Sequence, residues 1–83
     1  ITEEIMRQLS RRAADSSICP SEVARALTSD EAAWRALMPL VREVAATMRD
    51  AGRVRITRGG VDVPSDGLHR GAIRLARGGD FRG

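Results

Sequence analysis

Apolar residues in the first fifty positions of the chain recur every three or four residues, whereas beyond Gly52 they alternate with polar ones. The first period is that of helices packed on one face, the second that of half-buried strands. Ile1, Ile5, Leu9 and Ala13 form an i+4 stripe widened by Met6. Thr2 as N-cap, with Glu3 and Glu4 in the first turn, suits the positive end of a helix dipole. A helix over about 2–14 is expected. Asp15-Ser16-Ser17 breaks it, and the isolated apolar Ile18 is enough for a strand of one or two residues. Pro20 at a favoured first position and Glu22 in the same turn open a second helix over about 20–27, with Val23, Ala24 and Leu27 on its stripe. Thr28-Ser29-Asp30 carries turn and capping chemistry, and residues 31–37 read as one or two further helical turns containing Trp34. Pro39 suggests a new start. From there Leu40, Val41, Val44, Ala45, Met48 and Ala51, with Leu37 before them, make the broad apolar face of a third helix over about 39–51, ended by Gly52 at C′.

After Gly52, Val54 and Ile56 alternate with Arg53, Arg55 and Thr57, and Ile73 and Leu75 alternate with Ala72, Arg74 and Ala76, so strands are expected over about 53–58 and 72–76. The connection between them is too long for a tight hairpin. Either Val61 and Val63 extend the ribbon beyond a Gly59-Gly60 turn, or the whole stretch is a loop. Residues 77–83 have little to bury and read as a flexible tail. Helix, short strand, helix, turn, helix, strand, long loop, strand is the order of a winged helix-turn-helix: an α+β fold with a three-helix core and a C-terminal β-wing, here as a single domain over 1–76. A chain of 83 residues is long enough for one such core and too short for two.

The runs Ile18-Cys19-Pro20-Ser21-Glu22-Val23-Ala24-Arg25, Trp34-Arg35-Ala36-Leu37-Met38-Pro39 with Val41-Arg42-Glu43, and Arg70-Gly71-Ala72-Ile73-Arg74-Leu75 resemble the motifs of a small bacterial winged-helix family of uncharacterised function. The resemblance extends over about residues 1–75. The resemblance implies the winged-helix fold and leaves function open.

Candidate chemistry is sparse. One cysteine, Cys19, and one histidine, His69, cannot supply the four ligands of a structural zinc site, and no cofactor is expected. Cys19 precedes a helix start without a nearby base and reads as an inert thiol, His69 as a solvated imidazole. No Ser/His/Asp set is available and Gly59-Gly60 is not followed by a helix, so the chain is not expected to be an enzyme. No run of 18 apolar residues suggests a membrane span, and the lone cysteine suits a reducing compartment; a cytoplasmic location is expected. Trp34, amid Ala32, Ala33, Ala36 and Leu37, reads as a core or inter-helix plug, and Met6, Met38 and Met48 as core filler.

Charge changes the picture most. All 14 basic residues are arginine, and the formal net charge is +3. GC-biased codon usage would produce that choice of cation without any ligand, so position must decide. Residues 1–52 carry 7 Arg and 8 acids, net −1, against 7 Arg and 3 acids, net +4, in 53–83. Arg7 has Glu3 and Glu4 within a helical turn, Arg11 and Arg12 have Asp15, Arg25 has Glu22 and Arg35 has Glu31, pairings that explain these arginines as surface charges. Arg42 and Arg49 have no such neighbour. In a winged helix the third helix enters the major groove and the wing touches the backbone or the minor groove. Arg42, Arg49, Arg53, Arg55, Arg58 and Arg70 are therefore the candidate nucleic-acid contacts, with Arg74 a further wing cation that could equally pair, like Arg70, with Asp62 or Asp66. Glu43 and Asp50 oppose phosphate on the third helix. The expectation is a DNA-binding, transcription-regulatory module making weak, wing-led contacts with double-stranded DNA. The alternative is a winged helix that binds a protein partner or a second copy of itself through the third helix or Trp34.

Overall fold

The computed structural model describes residues 1–64, 67–68 and 70–82. Three helices pack on one face of a four-stranded antiparallel sheet, in the order α1 (Thr2–Ser10), β1 (Ser17–Ile18), α2 (Pro20–Leu27), α3 (Glu31–Asp50), β2 (Val54–Arg58), β3 (Val61–Asp62) and β4 (Arg74–Arg77). The strands lie side by side as β1-β4-β2-β3. The fold is α+β and winged-helix-like: the short strand between the first two helices pairs with the last strand, and β2 and β4 form the wing ribbon.

The core follows the two periods. Ile5 and Leu9 of α1, Val23 and Ala24 of α2, and Val41, Ala45 and Met48 of α3 are buried against a row formed by Ile18, Leu75 and Ile56, which the register places across from one another on three strands. Val63, Leu68 and Ile73 of the β3–β4 connection are buried with them. These three residues of the wing loop are thus part of the core.

Several boundaries differ from those the sequence suggests. α1 stops at Ser10 rather than Ala14 because its apolar stripe ends at Leu9; Ala13 and Ala14 are exposed and gain nothing from a further turn. Arg11 and Arg12 instead donate their amides back to Gln8 and Leu9 in tighter i−3 bonds. Thr2 lies inside the helix and Ile1 is the N-cap, without a side-chain bond. The helices expected over 31–37 and 39–51 are one. Pro39 removes the amide that would bond Arg35, at a cost of about 3 kcal/mol in a helix interior, but it is exposed, and the stripe runs through it in register from Trp34, Leu37 and Met38 to Val41, Ala45 and Met48. Packing on both sides offsets the missing bond.

α3 is capped at both ends. The Asp30 carboxylate accepts from the Ala33 amide at 2.9 Å, and Gly52, at φ +79°, lets the Gly52 and Arg53 amides reach Arg49 O and Met48 O, each at 2.9 Å. Gly59 and Gly60 both have positive φ, as a two-residue turn with right-handed ribbon twist demands, so Val61-Asp62 does extend the ribbon as β3. β4 runs over 74–77 instead of 72–76, since Ala72 and Ile73 close the wing loop. Residues 78–81 are not a free tail: the Gly78 and Asp80 amides donate to Arg53 O and Gly52 O, and Phe81 packs against the core beneath the Arg77 guanidinium, 4.6 Å from its ring. No helix among the described residues is long and apolar enough to cross a membrane.

Candidate nucleic-acid interface

Paired residues of a sheet project to the same side, so the register sorts the arginines by face. Ile56, Leu75 and Ile18 face the helices. Arg55, Thr57, Arg74, Ala76, Asp62 and Ser17 face away from them, and Arg53 is the residue just before β2. Among these paired residues are two guanidinium groups and one carboxylate. Arg55 donates through Nε and Nη2 to Asp62 Oδ1 at 3.1 and 2.9 Å, both side chains being more than half exposed. Arg74 donates to Ser17 Oγ and Ser17 O, which ties β4 to β1 across the sheet edge. Arg53 and the exposed Arg70 make no side-chain hydrogen bond or ion pair among the described residues.

The other candidate arginines have structural work. Arg42 projects from α3 onto the wing loop and donates to Leu68 O at 3.1 Å and Gly71 O at 3.3 Å. Arg49, largely covered, donates to Val63 O and lies 3.5 Å from Asp50. Arg58 sits on the inner-face parity beside Val61 and gathers the wing loop by donating to Gly67 O, Arg70 O and Ala72 O. Carbonyls in a loop without strand pairing need donors, and these three guanidinium groups supply them at part-buried (Val63, Gly67, Leu68) and exposed (Arg70, Gly71, Ala72) positions. Arg42 and Arg49, which the helical spacing leaves without acids, are thus turned towards the wing loop. The exposed charges of α3 are Glu31, Arg35, Glu43 and Asp50, of which Arg35 is itself 3.7 Å from Glu31.

The N-terminal arginines are arranged partly as the spacing suggests. Arg7 pairs with Glu4 and holds its carboxyl below the ordinary range, chiefly through that side-chain hydrogen bond. Arg12 reaches Glu22 at 2.8 Å instead of Asp15, and with the Cys19 amide, which donates to the same carboxylate at 2.7 Å, holds Glu22 below the ordinary range too. Arg25 makes no pair with Glu22. Its guanidinium carbon lies over the Trp34 ring, 4.6 Å from the centroid, and that of Arg35 lies over the same ring at 5.0 Å. Trp34 is half-buried against the core, so it is both the plug its apolar neighbours suggest and a platform for two cations. Helical spacing misses Arg25 because Trp34 lies on the next helix. Arg77, also not a candidate from sequence, donates to Leu9 O and Arg12 O and so closes the C-terminal end of α1. Cys19 is half-buried and its sulfur accepts from Ser21 Oγ at 3.1 Å. His69 and Asp66 lie outside the described residues.

Comparison with curated proteins returns no match. A family model described as "Protein of unknown function (DUF3253)" matches residues 1–78, from the start of α1 to the residue after β4. That match spans all three helices and the whole sheet, and the chain accordingly belongs to the family described as protein of unknown function DUF3253.

Proposed function

We propose that the domain binds the phosphate backbone of double-stranded DNA through the outer face of its sheet and the exposed part of its wing, without placing α3 in the major groove. The observation that carries this is the placement of Arg55 and Arg74 on the outer sheet face beside the single paired carboxylate Asp62, with Arg53 just before β2 and Arg70 exposed on the wing loop. The exposed side of α3 argues against a reading helix: it carries three carboxylates, Glu31, Glu43 and Asp50, against one arginine, Arg35, at its N-terminal end. Contacts of this kind give affinity without base discrimination, because guanidinium groups on phosphate carry no sequence information. Three or four such contacts give a slope of log K against log salt of about −3 to −4. Titration of labelled duplex at low and moderate salt tests the proposal. Arg55→Ala and Arg53→Ala are expected to weaken binding equally on unrelated sequences, and a duplex bound with strong sequence preference would refute backbone recognition.

A second reading, protein contact or self-association, is favoured by Leu27, Leu40 and Val61, exposed at 44%, 52% and 70%. Sedimentation of the wild type and Leu40→Asp separates it: concentration-dependent association abolished by the substitution supports contact through α3.

A further inference from the structure

The Arg25–Trp34–Arg35 cluster lies where α2 ends and α3 begins, and neither the fold nor the sheet face described above accounts for it. A guanidinium stacked on an indole is held in place by the ring while its in-plane N–H donors stay directed outward. Arg25 is exposed and has no carboxylate partner among the described residues, since Glu22 is taken by Arg12 and the Cys19 amide. Arg35 is 66% exposed, and its pair with Glu31, itself 67% exposed, is 3.7 Å long, a weak contact that a better acceptor displaces. Asp30, the other acid nearby in sequence, is engaged by the Ala33 amide as the helix cap. Two guanidinium groups at one indole suit a doubly charged or repeated oxyanion, which a guanidinium can bind through two parallel N–H donors. With both arginines over the ring, the indole serves as a support for cations and not as a stacking surface for a base.

We infer that Arg25 and Arg35, held over Trp34, form a second phosphate-binding site for the DNA backbone at the helix-turn-helix end of the domain. This rests on the proposal that the domain binds DNA, and makes the contact bipartite: the sheet face at one place and the α2–α3 junction at another. Sequence reading is no part of it, for the stacked arginines meet phosphate.

Trp34 is the single tryptophan and the chain has no tyrosine, so its emission reports on this site directly. The test is titration of the intact domain with a short blunt DNA duplex, following both Trp34 emission and the anisotropy of labelled DNA at several salt concentrations. The expected result is a saturable, salt-reversible emission change at the same midpoint as the anisotropy. Arg25→Gln and Arg35→Gln are each expected to weaken binding several-fold and to reduce the salt slope by about one. Arg25→Lys should restore it only in part, because an ammonium has no planar fork. Glu31→Gln, which removes the competing carboxylate, should tighten binding. Full affinity in both glutamine variants with unchanged emission overturns the site while leaving the sheet-face proposal standing. Loss of binding confined to Arg25 and Arg35 variants, with Arg53→Ala and Arg55→Ala unaffected, supports the site and refutes the sheet face; no duplex binding by the wild type at low salt refutes both.

Discussion

Replacing Arg42 with methionine separates a structural arginine from a ligand-binding one. Methionine keeps most of the aliphatic stem and its packing while deleting the guanidinium that donates to Leu68 O and Gly71 O. A hydrogen bond to a charged group contributes about 1.5–3 kcal/mol, and a stranded buried acceptor costs about the same. Gly71 is exposed and its carbonyl can turn to water, whereas Leu68 is only 5% exposed, so the Leu68 bond dominates. The expected cost is about 2 kcal/mol. For a domain of this size, each kcal/mol moves the thermal midpoint by about 4–8 °C, so a fall of about 8–16 °C is expected. Thermal unfolding by far-UV circular dichroism measures it, and hydrogen exchange should show the amides of the wing loop exchanging faster than those of α1. DNA affinity at a temperature where both proteins are folded should be unchanged. An unaltered midpoint together with weakened DNA binding would refute the reasoning, and would return Arg42 to the groove-facing role its helical position suggests.

Three further outcomes follow from the same geometry. Gly78→Ala should destabilise the domain more than Gly59→Ala, because a Cβ at Gly78 collides with Gly52 O and comes within 2.9 Å of Arg53 C, whereas Gly59 faces open space and pays only for its φ of +58°; urea unfolding of the two variants decides this. Glu4 and Glu22 have folded-state pKa values below the usual 4.5, so the stability they contribute is present above that value and is lost as pH falls through the folded values. Glu22→Gln should therefore flatten the acid limb of a stability–pH curve, which acid titration of the unfolding midpoint checks. Phe81→Ala should lower the thermal midpoint and speed exchange of the Arg77 amide, since Phe81 packs against the core beneath the Arg77 guanidinium; a midpoint equal to wild type would show that the closing segment does not hold the sheet edge.

What the sequence makes legible is what is encoded locally. Pro20 and Glu22 fall within one turn of each other, and α2 begins where they place it, with the Glu22 carboxylate accepting the Cys19 amide. The Schellman turn at Gly52 and the Gly59-Gly60 turn are equally local. Pro39 shows the reverse: the local rule breaks the helix, and the burial of Val41, Ala45 and Met48 in register with Trp34 keeps it whole. The arginines divide in the same way. Glu4–Arg7 and Glu31–Arg35 obey helical spacing. Arg12–Glu22 crosses to another helix, and the bonds of Arg42, Arg58 and Arg77 end on backbone carbonyls, an acceptor that every residue has and no sequence pattern marks. Counting acids within a turn leaves Arg42 without a carboxylate, and its partners among the described residues are main-chain oxygens 26 and 29 residues away.

In the proposed binding mode, DNA meets the outer sheet face, the exposed wing and the α2–α3 junction, while the middle and end of α3 stay outside the groove. Backbone amide chemical shifts followed by NMR during titration with duplex DNA test it most directly. The predicted result is a set of salt-sensitive shifts at residues 53–58, 70–76 and 25–35, with residues 40–50 unmoved. Shifts concentrated on Leu40, Glu43 and Thr47 of α3, with the sheet face silent, would contradict it.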